Sequence, residues 1–366
     1  MQGAQIIILA TPVFFALIAL EFVVGWRRGR NTYRLADALN SIGLGVMSQV
    51  TGVIGRTLRI GIYAAVFHAV AVWQLPTNEL WVWALALLMY DFCYYWQHRF
   101  GHTCALFWAA HVVHHQSEDY NLSTALRQTS SSVLTTWIFY LPMALIGVPP
   151  LVFAVVALID LLYQYWVHTQ QIGRLGWFDR WFCSPSNHRV HHAVNDRYLD
   201  RNFGGILIVW DRLFGTFAEE DDAEPCVYGT RKPLRSWNPL WANLEVYADL
   251  ARDSWRARNW GDKLRVWFMH PGWRPTDVAA RWPRAPFELA AVRRFDPPAS
   301  RSAQALAVTL FVALLAVTTA FLWNAHTFTL TGKLTGIVGI VAGLWCVGAL
   351  CTPARVAQSA PMPAGD

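Results

Sequence analysis

The amino-acid sequence predicts an all-α fold: a polytopic membrane helical bundle of about seven spans, with a helical cap on the cytoplasmic side. Two observations lead to this fold class. Of the 366 residues, 54% are hydrophobic and only 15% are charged, whereas about 25% of the residues of a soluble domain are charged. In addition, seven stretches approach the roughly 20 apolar residues that a helix needs to cross a bilayer. The same composition excludes a disordered or collagen-like chain.

The predicted spans are separated by short turns or by arginine-rich segments. They cover residues 5–25, 57–74, 79–96, 130–147, 150–167, 303–323 and 331–351. We interpret the first as a retained anchor and not a cleaved signal peptide, because its arginines follow the apolar stretch. Residues 36–55 are only moderately apolar. If they also crossed the membrane, the arginine-rich segments would no longer all lie on one side of it. We therefore interpret them as an interfacial or re-entrant segment.

The arginines set the orientation of the bundle. They are frequent just after the first span and throughout residues 169–302, whereas the connections at 75–78, 148–149 and 324–330 contain no Lys or Arg. Since basic loops stay in the cytoplasm, the sequence predicts an integral membrane protein with its active site on the cytoplasmic side. The membrane would be the inner membrane in a bacterium or the endoplasmic reticulum in a eukaryote. No basic motif or base-stacking surface indicates nucleic-acid binding.

These features divide the chain into five segments. In order, they are N-terminal membrane helices, a histidine-rich domain, a cytoplasmic extension, a C-terminal pair of membrane helices and a flexible tail rich in Pro and small residues. The predicted bounds are 1–84, 85–220, 221–302, 303–351 and 352–366.

Nine of the twelve histidines lie in three clusters and at one separate position, all near predicted cytoplasmic helix ends. They are His98 and His102; His111, His114 and His115; His168; and His188, His191 and His192. Helix positions i, i+3 and i+4 share one face, so each cluster presents its imidazoles side by side. Neutral imidazole binds transition metals, and nine ligands are too many for one ion. The sequence therefore predicts a histidine-box di-metal site, with His68, His270 and His326 in packing or surface roles.

Other metal proteins fit this pattern less well. A catalytic zinc ion uses three protein ligands, and the HExxH motif of zinc proteases is missing from the sequence. A non-catalytic membrane metal transporter or sensor is the alternative from another functional class. Such a protein would hold its ligands near the bilayer midplane, whereas the histidine clusters are predicted at cytoplasmic helix ends.

Acidic and amide side chains near the clusters are candidate supporting residues. Asp91 precedes His98 by two helical turns, and Asp160 precedes His168 by eight residues. Charges inside apolar helices are costly and usually functional. A carboxylate that accepts the second N–H of a ligating imidazole fixes the orientation of the ring. The predicted catalytic set consists of polar residues before or after a cluster: Asp91, Glu118, Asp200 and Asn202.

The clusters resemble those of the fatty acid hydroxylase / sterol desaturase superfamily of membrane di-iron enzymes. The resemblance rests on residues 91–102, 111–115 and 188–192, and on the characteristic segment 200–217. It covers roughly residues 85–220. Within the superfamily, the sequence is most similar to the alkylglycerol monooxygenase branch, in the runs 114–128, 161–169 and 271–275.

This resemblance implies an O2-dependent monooxygenase that uses two Fe ions to hydroxylate an alkyl carbon of a lipid drawn from the bilayer. In the alkylglycerol branch the reaction cleaves the ether bond of the lipid. The resemblance also implies an external electron donor, either tetrahydrobiopterin, as in the animal enzymes, or a redox partner protein. A sterol, carotenoid or fatty acyl hydroxylase or desaturase of the same superfamily is the alternative, because its histidine boxes would be identical.

Overall fold

The computed structural model describes residues 3–352, apart from the side chains of residues 3–7, 56 and 57. In this part of the chain the regular structure is helical, and the β contacts are two isolated bridges, Phe182 with Leu207 and Ala193 with Tyr228. The predicted all-α class is therefore confirmed. Of the predicted tail, only Thr352 lies within the described residues.

Sixteen α-helices are present among the described residues. They are α1 (Gly3–Arg27), α2 (Leu35–Val70), α3 (Leu80–Thr103), α4 (Ala105–Ala109), α5 (Val112–His115), α6 (Leu122–Ala125), α7 (Leu141–Ile146), α8 (Pro150–Trp166), α9 (Phe178–Trp181), α10 (Pro185–His191), α11 (Val209–Leu213), α12 (Pro239–Arg256), α13 (Trp260–Phe268), α14 (Thr276–Arg281), α15 (Arg301–Asn324) and α16 (Leu330–Leu350). Short 3₁₀ helices cover Ser132–Leu134, Thr136–Tyr140 and Leu289–Ala291.

Four helical segments of the described chain are long and apolar enough to cross a membrane. They are Ile8–Arg27, Leu35–Gly55, Arg301–Asn324 and Leu330–Leu350. The apolar helix α8 has only 17 residues, and the predicted span 57–74 is largely the second half of α2. The structure thus contains several membrane-spanning candidates, but it does not confirm the predicted count of seven spans.

Residues 36–55 form the first half of the continuous, 36-residue helix α2, and not a separate interfacial or re-entrant segment. Their moderate hydropathy has a structural cause, because polar side chains of this half are paired inside the protein. The Asn40 amide, for example, is buried and donates to the Trp237 carbonyl at 2.8 Å. A buried polar group with a partner does not force a helix to the membrane surface.

The predicted span 130–147 is also different in the structure, where it consists of two 3₁₀ turns followed by the short helix α7. Local hydrogen bonds explain the irregular start. The Thr136 hydroxyl donates to the Ser132 carbonyl at 2.9 Å, and such side-chain bonds compete with helical ones. Pro142 then occupies the first turn of α7, where a proline is readily accommodated.

Among the described residues, the two largest apolar cores join most of the long helices. In the first, Met47 and Val50 of α2 pack with Phe311 of α15 and Leu344 of α16. The second joins Tyr63, Tyr90, Tyr140 and Phe153, from α2, α3, the 3₁₀ segment and α8. The second core brings α3 and α8 side by side, and both helices end at the histidines described below.

Candidate metal centre

The structure brings all nine predicted histidines together at one end of the bundle. The side chains come from the last turns of α3, from α5 and the residue before it, from the segment just after α8, and from α10 with the residue that follows it. Eight of the nine imidazoles are buried and His111 is partly buried. The prediction of side-by-side rings holds for the i, i+4 pairs (His98 and His102, His111 and His115, His188 and His192), whereas His114 and His191 lie apart from the other rings of their clusters.

The nine side chains form two separate groups. The first contains His98, His102, His111, His115 and His191, and the second contains His114, His168, His188 and His192. Within each group, the candidate ligand atoms lie within 4.8 Å of one another. Neighbouring Nε2 atoms are closer, at 3.1 Å between His98 and His111 and 3.1 Å between His114 and His168. Nitrogens that bind one metal at about 2.1 Å lie about 3 Å apart when they are adjacent, so each group has the dimensions of one ligand sphere.

Hydrogen bonds at Nδ1 show which nitrogen of the ring is free to bind a metal. Four rings contact a backbone carbonyl through Nδ1 at 2.8–3.0 Å: His98 with Phe203, His114 with Arg127, His168 with Gln164, and His191 with Arg201. A carbonyl only accepts, so these Nδ1 atoms carry the proton and the Nε2 atoms carry a lone pair. The Nε2 atom of His191 has no hydrogen-bond partner among the described residues. The Nε2 lone pairs of His114 and His168, for example, lie 3.1 Å apart. Lone pairs at this distance repel unless a cation lies between them, so this set of nitrogen donors fits a metal.

Burial keeps imidazoles of both groups, among them His114 and His191, in the neutral form that binds metal. It lowers the pKa of His114 to about 4, well below the ordinary 6.5. Burial, followed by the neighbouring His98 and His102, likewise lowers the pKa of His191. Neutral rings are therefore available at physiological pH, as coordination requires.

Asp200 is the predicted supporting residue that lies directly against a ring of the centre. Its Oδ1 atom is 3.6 Å from Nδ1 of His102, and its Oδ2 atom accepts from Nε2 of His270 at 2.9 Å. The residue has a left-handed backbone with φ of 55°. Sequence reasoning assigned His270 a packing or surface role. The sequence contains no signal for its contact with Asp200, because 70 positions separate the two residues.

Asp91 has a different partner from the one expected. Its carboxylate accepts from the backbone N–H of Ile206 at 2.7 Å, from that of Leu207 at 3.1 Å, and from the Trp210 indole at 2.8 Å. It does not orient His98, whose Nδ1 donates to Phe203. Two helical turns separate Asp91 from His98 by about 10 Å, which is too far for a direct hydrogen bond. Asp91 instead anchors the segment that begins just after Phe203.

Glu118 and Asn202 also bond to backbone and not to an imidazole. The Glu118 carboxylate accepts from the backbone N–H of Phe295. The Asn202 amide donates to the carbonyls of Asn187 at 3.0 Å and Ala218 at 2.8 Å. Both side chains thus tie the segments around the centre together.

Sequence reasoning did not identify Arg127 as a site residue. Arg127 is only 1% exposed, and its Nε donates to the Val113 carbonyl at 2.7 Å. Its own carbonyl accepts from His114. The available signal was its position inside the run 114–128 that carries the family resemblance. Arg127 therefore holds both the backbone of α5 and one of the candidate ligands.

A cavity of about 320 Å³ adjoins the centre at His111, His114 and His168. Its apolar wall comes largely from α1, α2, α8 and α15, and includes Phe14, Ile42, Val46, Leu161 and Leu315. Polar side chains line other parts of the cavity, among them Arg59 of α2, Tyr94 and Gln97 of α3, and Asp160 and Gln164 of α8. A pocket that combines an apolar wall with placed polar groups is typical of a ligand site.

Comparison with known proteins identifies relatives. Residues 83–216 match the fatty acid hydroxylase family. The alkylglycerol monooxygenase of Homo sapiens is 42% identical over 267 residues, which cover 73% of this chain and 59% of the human protein. The alkylglycerol monooxygenase of Xenopus tropicalis is 37% identical over 309 residues, which cover 84% of this chain and 69% of that protein.

A more distant bacterial relative is the ornithine lipid hydroxylase OlsE of Rhizobium tropici, 28% identical over 178 residues, which cover 46% of this chain and 53% of that protein. The chain spans 59% of the length of the Homo sapiens and Danio rerio alkylglycerol monooxygenases. No solved structure shows a significant match.

Proposed function

The chain belongs to the fatty acid hydroxylase family, and from this premise we propose that it is a membrane-bound lipid monooxygenase with two iron ions. The observation that carries the proposal is the division of nine imidazoles into groups of five and four, with their Nε2 atoms directed inward. When bound, the irons supply the activation of O2, which inserts one oxygen atom into a C–H bond and releases the other as water.

The residues of the chain supply geometry and a dry environment. His98, His114, His168 and His191 are held by backbone carbonyls, so their rings keep one orientation during turnover. The apolar wall of the cavity beside the centre accommodates an alkyl chain, and burial of the imidazoles keeps bulk water from them. These features position a C–H bond of a lipid chain next to the metals.

We propose a glyceryl ether lipid as the substrate, as in the alkylglycerol monooxygenases to which the chain is similar. Hydroxylation of the carbon next to the ether oxygen consumes O2, two electrons and two protons, and it forms a hemiacetal and water. The hemiacetal then separates into a fatty aldehyde and a glycerol derivative. The two electrons come from an external donor, either tetrahydrobiopterin or a redox partner protein.

We place the centre on the cytoplasmic side of the membrane. The arginine-rich end of α1 supports this placement, because Arg28 donates to the carbonyl of Gln171 at 2.8 Å. Gln171 follows His168 by three residues, so the basic end of the helix and the metal centre share one side. Basic helix ends remain in the cytoplasm.

The proposal is tested with purified, iron-loaded protein, a labelled alkylglycerol and each electron donor. We expect fatty aldehyde to form in proportion to the O2 consumed, with two tightly held irons per chain. Iron-loaded protein that oxidises sterols or acyl lipids but releases no aldehyde from the ether would favour the alternative within the superfamily. Metal that exchanges freely, without O2 consumption, would favour a transporter or sensor.

A further inference from the structure

Two carboxylates lie in the helices that carry the metal centre, and their hydrogen bonding differs. Asp91 on α3 accepts from three donors, as described above. Asp160 on α8 is only 2% exposed, and its Oδ2 accepts from the Gln164 amide at 2.6 Å. Its Oδ1 has no hydrogen-bond partner among the described residues. An unpaired buried acceptor is costly, so a hydrogen bond that a bound molecule donates to Oδ1 would be stabilising.

The protein holds Asp160 in position through a short chain of side chains. The Tyr94 hydroxyl donates to Oε1 of Gln164 at 2.7 Å, and the amide of Gln164 then donates to Asp160. The backbone carbonyl of Gln164 accepts from the candidate ligand His168 at 2.8 Å. Asp160 is thereby coupled in position to the four-histidine group.

Gly205 packs closely against the unpaired oxygen. A Cβ atom at this position would lie 2.8 Å from Oδ1 of Asp160 and 3.0 Å from Oδ1 of Asp91. Real Cβ atoms do not approach so closely, so a larger residue would have to displace one of the carboxylates. With glycine at this position, both carboxylates keep their places, and Asp160 contributes to the cavity wall.

We propose that Oδ1 of Asp160 accepts a hydrogen bond from a hydroxyl group in the polar head of the lipid substrate. Asp160 on α8 and His168 just beyond the end of this helix are eight residues apart, or about 12 Å at the helical rise, and both line the same cavity. A head of a few atoms fits between them while the alkyl chain follows the apolar wall. The inference rests on the proposed function, and it adds that the site selects lipids with a free hydroxyl close to the oxidised carbon.

The test compares two ether lipids with the same alkyl chain, 1-O-hexadecylglycerol and its 2,3-di-O-methyl derivative, which lacks hydroxyl donors. Binding of each radiolabelled lipid to metal-loaded protein is measured directly, alongside KM and kcat. We expect the wild-type protein to bind the diol at least about tenfold more tightly, as a hydrogen bond to a carboxylate commonly provides. In Asp160→Leu, binding of the diol should fall to that of the dimethyl ether, which itself should be unchanged.

Two further variants keep the test decisive. Ile159→Leu alters an exposed residue next to Asp160 that does not line the cavity, and it should retain the diol preference. Asp160→Asn keeps the size of the side chain and a bond to Gln164, so it should fold even where Asp160→Leu does not. Asp160→Asn should reduce the preference for the diol by a smaller factor than Asp160→Leu does. Metal content confirms that each variant is intact.

Outcomes that contradict the inference differ from those that contradict the proposed function. A wild-type diol preference that survives in both Asp160 variants, or a wild-type protein without any preference, would overturn the role of Asp160. If aldehyde were released from both lipids, either of these two outcomes would still be consistent with the proposed function. Absence of aldehyde would instead count against ether cleavage, while the binding comparison would still report on Asp160.

Discussion

At the scale of single residues, the two nitrogens of each imidazole have different roles. Nδ1 of His98, for example, is bonded to the Phe203 carbonyl, and its Nε2 faces His111 at 3.1 Å. A ring bonded in this way can neither flip nor exchange its proton without losing a hydrogen bond. The orientation of the ligands is therefore determined by the backbone around them.

The division of the rings into two groups makes a prediction for single alanine variants. His114 and His191 belong to different groups. We expect His114→Ala and His191→Ala each to lower the bound metal from two ions to about one per chain and to abolish turnover, because each removes a ligand from one sphere. Metal analysis of the purified proteins measures this. Exposed His326 provides the control variant His326→Ala, and two retained metals with full turnover in both test variants would refute the grouping.

A second prediction concerns the carboxylate beside His102. Burial raises the pKa of Asp200, but the neighbouring imidazoles of His102 and His270 outweigh burial and lower this pKa, so the carboxyl group is ionised. We expect Asp200→Asn to weaken metal binding by about 10- to 100-fold, as is usual when the partner of a ligating histidine is lost. Competition with a chelator of known affinity measures the change. Asp222→Asn removes a carboxylate that is 93% exposed and should have no effect; equal metal affinity in the two variants would exclude this role of Asp200.

At the scale of secondary structure elements, the long helix α2 must approach α6 closely, because α6 leads into the Arg127 carbonyl that holds His114. Gly45 permits this contact. A Cβ atom there would lie 2.3 Å from the Leu126 carbonyl oxygen. A backbone atom cannot move aside as a flexible side chain can, so the two helices would have to separate.

We therefore expect Gly45→Ala to destabilise the protein by about 1–3 kcal/mol, the usual cost of overpacking, and to reduce metal content. Gly61→Ala is the matched control in the same helix, since nothing lies within 4 Å of its Cβ position. It should be neutral or slightly stabilising, because alanine favours helices. Apparent melting temperatures in detergent compare the two. Equal melting temperatures would show that α2 does not need this close approach.

At the scale of the whole molecule, the cluster of neutral imidazoles makes the metal-free protein sensitive to acid. The pKa of His114 is about 4 in the folded protein and ordinarily 6.5. Between these values the unfolded chain binds a proton that the folded one excludes. Stability of the metal-free protein should therefore fall as the pH decreases from 6.5 towards 4.

Thermal unfolding of chelated protein across this pH range tests the expectation, with the iron-loaded protein as the control. Bound metal stabilises the folded state, so the loaded protein should melt at a higher temperature at every pH above about 5. A melting temperature of the chelated protein that does not change with pH would mean that the rings are not held neutral by the fold.

The sequence by itself determined the helical class, the apolar character of the chain and the identity of the nine clustered histidines. These properties are local, because residue spacing alone places positions i, i+3 and i+4 on one helix face. The number of clustered imidazoles can also be counted in the sequence. Because nine ligands are too many for one ion, the sequence predicts two metal ions.

Only the tertiary structure decided which rings share a group. His114 and His115 are adjacent in the chain yet belong to different groups, and His191 joins the group of His98. The partners of Asp91 and the unpaired oxygen of Asp160 likewise became apparent only in the folded molecule. Spacing determines the face on which a side chain stands, but the packing of distant helices determines what that face meets.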